Sequence, residues 1–151
     1  NPGGLLDVAL NLLNHFLNRE SAAVQVKYNS FKYVQYATGD GALGKYPLAV
    51  LINKGSASAS EIMAGAIQDY KIGTVMGETS FGKGTVQELN FFRDGTGLKM
   101  TVAKWLTPLG HDIQGNGITP DITVMNPEGQ GDYQLQRALE EVNRMINARK
   151  N

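Results

Sequence analysis

A hydroxyl can cleave an amide without histidine if a neutral amine takes its proton, and this chain carries both groups in unusual settings. The run Gly55-Ser56-Ala57-Ser58-Ala59-Ser60-Glu61 puts three serines between an apolar strand pattern and a helical one. Downstream, Ser80-Phe81-Gly82-Lys83-Gly84-Thr85-Val86-Gln87 holds one lysine between two glycines. A serine at a strand–turn–helix junction exposes its hydroxyl, and the first N–H groups of the helix can stabilise an oxyanion. The glycines beside Lys83 let its backbone approach a partner closely. To act as a base, the lysine has to be neutral, which requires burial to hold it well below its ordinary pKa near 10.4. The same residues also have plainer uses. Ser56, Ser58 and Ser60 are all of capping type, Glu61 reads as a first-turn charge, and most lysines are solvated. The residues alone leave three serines open.

Other patterns on the chain weaken on inspection. Gly77 to Gly84 matches G-x-x-x-x-G-K, but Gly84 stands where a phosphate loop needs Ser or Thr for magnesium. The residues that follow alternate like a strand, whereas a phosphate loop opens a helix. Ser80 and Lys83 have S-x-x-K spacing, which works only on a helix, and the flanking glycines argue against one. Gly39-Asp40-Gly41-Ala42-Leu43-Gly44 fits G-x-G-x-x-G but sits between strand patterns and reads as a loop. His15 and His111 are the only histidines and show no ligand spacing, so no metal site is expected. Asp69, Glu78 and Glu88 read as surface or hairpin charges.

The elements that must position these groups are legible as periodicities. Apolar residues from Leu5 to Leu17 recur at helical spacing, predicting a helix over 4–18. Residues 23–28 and 31–36 alternate like strands, and Pro47 to Ile52 is a continuous apolar run expected to be buried on both faces. A helix is predicted over 58–70 and a short strand over 73–77. Strands over 86–92 and 98–106 are joined at Asp94-Gly95-Thr96-Gly97, followed by a last strand at 121–124 and a helix over 132–149. This order predicts an α/β layered domain. The 151 residues suit one domain, fourteen basic and fourteen acidic residues cancel, and there is no cysteine. No basic stripe suggests nucleic acid, and no run reaches the roughly eighteen apolar residues that span a bilayer. The chain opens at Asn1 without an initiator methionine, as a piece of a longer protein would.

Taken in order, these blocks resemble the C-terminal processing peptidases, also called tail-specific proteases. The resemblance runs through Asn1-Pro2-Gly3-Gly4-Leu5, Asn53 to Ile62, Ala64-Gly65-Ala66, Gly77 to Gln87, Thr107-Pro108-Leu109-Gly110, Ile113 to Ile118 and Pro120-Asp121. It implies a ClpP/crotonase-like α/β fold with a mixed β-sheet flanked by helices, spanning residues 1–151 as a peptidase core. It also implies upstream segments, including a PDZ domain, that this chain lacks. Among the three serines it names Ser58 as nucleophile. Lys83, at the family's spacing of twenty-five residues, becomes the general base, and Gln87 the residue that orients its amine. The oxyanion hole would be the N–H of Ala59 with that of Gly4, in preference to Gly3. Lys54 and His111 depart from the family pattern, which more often has a small residue and an arginine there. The resemblance implies no cofactor or metal. The implied partners are protein or peptide substrates with apolar C-terminal tails, and the implied location is extracytoplasmic, in a periplasm, cell envelope or plastid lumen. Membrane association of the full-length protein is compatible with this. A non-catalytic binding module on the same fold is the alternative, and a nucleotide-binding domain a weaker one.

Overall fold

The computed structural model describes residues 1–127 and 131–150. The elements run α1 (Leu6–Leu13), β1 (Ala22–Lys27), β2 (Lys32–Tyr36), β3 (Ala49–Ile52), α2 (Ala59–Asp69), β4 (Thr74–Gly77), β5 (Thr85–Phe91), β6 (Gly97–Leu106), β7 (Ile122–Thr123) and α3 (Tyr133–Ala148). The domain is a layered α/β structure. Its mixed strand character is divided between two sheets: a four-stranded antiparallel sheet in the order β2-β1-β6-β5, and a three-stranded parallel sheet in the order β3-β4-β7.

Helix α2 is the centre of the molecule. Its small residues Ala64, Gly65 and Ala66 and its isoleucines Ile62 and Ile67 are all buried, on more than one side. Ile62, Ala66 and Ile67 meet Leu13, Leu17 and Val24, which joins α2 to α1 and β1. Ala64 meets Ile52, Val75, Ile113 and Ile118, which joins it to the parallel sheet and the 113–118 loop. On the far side of that sheet, Met76 and Val124 meet Ala138 of α3. Each large aliphatic side chain buried this way contributes about 1.5–3 kcal/mol. Ser58 therefore immediately precedes a well-anchored helix.

Two sequence expectations change in detail. Helix α1 ends at Leu13 instead of continuing to residue 18, because the Asn14 side chain accepts the N–H groups of Thr38 (2.8 Å) and Gly39 (3.3 Å) and the chain turns. The 39–44 loop wraps this end: a Cβ on Gly39 would lie 1.9 Å from the Asn14 carbonyl oxygen. Its glycine spacing is thus a packing requirement, not a phosphate cradle. Strand β3, expected to be buried on both faces, pairs on one side only and leaves Leu51 37% exposed.

Candidate active site

Ser58 is the residue at which β3 has ended and α2 has yet to begin. Its backbone is at φ 56° and ψ −121°, a left-handed conformation that costs a non-glycine residue about 1–3 kcal/mol. Surrounding bonds hold it there. The N–H of Ser58 donates to Glu61 Oε2 at 2.8 Å, and the N–H of Ala57 donates to the Asn1 carbonyl at 3.2 Å. Gly3, at φ +93°, lies directly beneath: a Cβ there would meet the Ala57 oxygen at 2.5 Å and Ser58 Cβ at 2.9 Å. The other two serines serve differently. Ser56 is buried and its hydroxyl accepts the Asn53 N–H at 3.1 Å, closing the turn after β3. Ser60 lies within the first turn of α2. Only Ser58 occupies the strained junction.

Two unpaired N–H groups lie beside it. That of Ala59 is the first of α2 and has no partner among the described residues. The ideal Cβ position of Gly3 is 3.0 Å from this nitrogen, so the N-terminal segment and the helix start are in contact. The Gly3 N–H is occupied by Asn1 Oδ1 at 2.9 Å, whereas the Gly4 N–H is free among the described residues. Gly4 and Ala59 line the same cavity.

Glu61, read from sequence as a first-turn charge, is fully buried. Four donors converge on it. Ser80 Oγ and the Gly82 N–H reach Oε1, both at 2.6 Å, and the N–H groups of Ser58 (2.8 Å) and Lys83 (2.9 Å) reach Oε2. One carboxylate oxygen therefore ties the backbones of Ser58 and Lys83 within about 6 Å of each other. Ser80 also accepts the Ile118 N–H at 2.7 Å, which fixes the loop behind Lys83. The spacing Ser58-x-x-Glu61 was the available signal, since a glutamate three residues after a cap folds back on the cap N–H. That it also reaches a loop nineteen to twenty-two residues on could not be read locally. Asp69 is a second such case: its side chain is buried and accepts the Leu109 N–H at 2.7 Å, with His111 Nε2 3.7 Å from its other oxygen.

The side chain of Lys83 is placed differently from expectation. Its backbone is fixed, but the residue is exposed, and no hydrogen bond joins its Nζ to Ser58 Oγ or to Gln87. Gln87 donates instead to Thr101 Oγ1 at 2.7 Å and Thr85 Oγ1 at 3.3 Å. The cause is local geometry. Lys83 precedes β5 and lies outside its ladder, so the strand alternation that puts Thr85 and Gln87 on one face does not extend to it. Among the described residues no three His, Cys, Asp or Glu side chains converge as metal ligands.

The model of peptidase family S41 matches residues 1–124. The chain belongs to this family. Among its relatives, a probable CtpA-like serine protease from Staphylococcus saprophyticus is 44% identical over 132 residues, covering 86% of this chain and 27% of the relative. A probable CtpA-like serine protease from Staphylococcus epidermidis is 43% identical over 133 residues, with the same coverage. The chain thus spans about a quarter of the length of these curated relatives. Among solved structures, the photosystem II D1 C-terminal processing protease superposes with a TM-score of 0.79 at 36% identity, over 95% of this chain and 36% of that one. Membership in S41 accounts for the layered fold and for the ordered motif blocks alike.

Proposed function

We propose that this S41 chain is the catalytic domain of a serine endopeptidase that processes proteins near their C-termini, with Ser58 as nucleophile and Lys83 as general base. The observation that carries the reading is the strained Ser58 backbone at the start of α2, flanked by two free N–H groups. Strain of this kind is retained where the surrounding structure holds it for use.

Lys83 Nζ takes the proton from Ser58 Oγ as the oxygen attacks the scissile carbonyl. The carbonyl π electrons move to oxygen, which is held by the N–H groups of Ala59 and Gly4. Lys83 returns the proton to the leaving amine, and water then hydrolyses the ester with the same lysine as base. Lys83 has to swing inward from its exposed position, and a substrate lying over the cleft supplies the exclusion of water that a neutral amine requires. Gln87, its Nε2 held by the two threonines, has its carbonyl oxygen left to accept from Nζ once the lysine turns in. An extended apolar tail adding to a sheet edge is the expected substrate form. The names of the relatives support a protease with protein substrates, and an extracytoplasmic setting is part of the same proposal.

The test is intact-mass analysis of an unstructured protein with an apolar C-terminal tail, incubated with the parent, Ser58→Ala and Lys83→Ala. Cleavage by the parent alone is expected. Cleavage that survives Ser58→Ala would remove the nucleophile assignment. Tight peptide binding without cleavage by any of the three would favour the non-catalytic module, a reading to which the exposed Lys83 lends its one observation.

A further inference from the structure

Asn116-Gly117 is the one Asn-Gly pair in the chain, and it takes no part in the chemistry at Ser58. In such a pair the glycine nitrogen can attack the asparagine side-chain carbonyl carbon, because no Cβ on the glycine obstructs the approach. Packing requires glycine at 117. Its φ is +66°, and a Cβ there would lie 2.4 Å from the Ser80 carbonyl oxygen. The exposed Asn116 side chain is thus joined to a neighbour that leaves it open to attack. Two hydrogen bonds oppose the reaction. The Gly117 N–H donates to the Ile113 carbonyl at 3.0 Å, which holds the proton that the nucleophile must lose. Asn116 Nδ2 donates to the Asp112 carbonyl at 3.1 Å, which holds the carboxamide by the group that must leave.

We propose that Asn116 is a site of spontaneous deamidation held off by the folded 113–118 loop, and that its conversion to isoaspartate makes an opening of this loop irreversible. In the open loop Gly117 N bonds to Asn116 Cγ, the Cγ–Nδ2 bond breaks, and ammonia leaves with the proton from Gly117 N. Water then opens the succinimide at either carbonyl, giving aspartate or isoaspartate. Only the opened fraction reacts, so an opening that costs about 1.4 kcal/mol already slows the reaction about tenfold. Isoaspartate carries the main chain through the side-chain carbons, one atom longer than before. That atom has no room. The Gly115 N–H donates to the Gly82 carbonyl at 2.9 Å and the Ile118 N–H to Ser80 Oγ at 2.7 Å, so the loop lies directly against 80–82. These bonds, with Gln114 Oε1 on the Gly84 N–H at 2.8 Å, hold the backbone on both sides of Lys83. A chain that has opened and reacted therefore cannot restore the Lys83 loop. Ordinary aspartate keeps the backbone length and loses only the side-chain bond to Asp112.

The experiment follows residue 116 by peptide mapping in mildly alkaline buffer, in the folded full chain and in a synthetic peptide of residues 112–119. The peptide should form isoaspartate faster than the folded chain by about tenfold or more. Gln114→Ala, which frees the Gly84 N–H, should raise the folded-chain rate toward that of the peptide. Urea below the unfolding midpoint should do the same, which keeps the proposal testable if that variant fails to fold. Chain aged in denaturing urea should carry isoaspartate and, once refolded, lack both amide protection at Gly82, Lys83 and Gly84 and cleavage. Freshly unfolded chain and Asn116→Asp should recover both on refolding. Equal rates in peptide and folded chain, or native protection of residues 82–84 in the isoaspartate-bearing chain, would overturn the inference. The loss of cleavage rests on the peptidase reading. Absence of cleavage by the fresh parent would count against that reading alone, because the rates and the amide protection do not depend on it.

Discussion

Gly3 and Gly4 are adjacent and identical in type, yet they do opposite work. Gly3 fills a contact that tolerates no side chain, with positive φ and its N–H already committed to Asn1. At Gly4 an added Cβ meets nothing within 4 Å, while its N–H is free. If Gly4 is the second oxyanion donor, Gly4→Ala should retain both fold and cleavage. Gly4→Pro, which removes the N–H and also locks φ, should lower kcat by about 10²–10³-fold with little change in KM. Steady-state kinetics on one peptide checks both variants, and an active Gly4→Pro would remove Gly4 from the hole. At this scale the sequence was informative about types and poor about roles. Serine between strand and helix and lysine between glycines could be seen directly. Which of two glycines had a spare donor depended on where Asn1 Oδ1 pointed. The burial of Glu61 depended on a loop that arrives from nineteen or more residues away.

Strands and helices were legible wherever one face meets the core, because period 2 and period 3.6 record burial directly. They failed where partners from elsewhere decide. The end of α1 is set by Asn14 capturing the 38–39 backbone, and the half-exposure of β3 by its place at a sheet edge. The β6 strand shows how such ties extend beyond the sheet. Lys104 on β6 donates to Asp112 at 2.9 Å, alongside the Leu106–Asp112 bridge. The hydrogen bond from Lys104 holds the Asp112 carboxyl below its ordinary value of 3.8, aided by the Gln114 N–H. A folded-state pKa that is depressed gives stability present above the unfolded value and lost as pH falls through the folded one. Both side chains are nearly half exposed, so the tie is worth well under about 1 kcal/mol. Lys104→Met should therefore lower the urea midpoint slightly near neutral pH, and the gap to the parent should close below pH 3.8. A gap that persists in acid would assign the effect to packing of the lysine stem.

Across the whole molecule, stability and exposure are distributed unevenly, and the site sits on the boundary. Helix α2 and the strands beside it hold the buried residues, whereas the β5–β6 hairpin is exposed from Gln87 to Thr101 and carries Leu89, Phe91, Phe92, Leu98 and Met100 in water. Lys83 lies at the root of that hairpin. What separates it from the hairpin's motion is a set of pins: Glu61 on the Gly82 and Lys83 N–H groups, Gln114 Oε1 on Gly84 N–H at 2.8 Å, and the Gly84 carbonyl accepting from Trp105. Local opening is easiest where few apolar contacts must break, so the hairpin tip should exchange its amide hydrogens fastest and α2 slowest. The amides of residues 82–84 should exchange nearly as slowly as α2 despite belonging to a loop. Glu61→Gln tests the clamp, because an amide nitrogen cannot accept and at least one buried N–H is left unpaired, at a cost of about 1–3 kcal/mol. Exchange at residues 82–84 should then rise toward that of the hairpin tip while α2 stays protected. Cleavage should fall through kcat, since the lysine backbone is no longer fixed relative to Ser58. Equal acceleration in α2 and the 82–84 loop would mean that Glu61 supports the core as a whole, and that Lys83 is held by the hairpin alone.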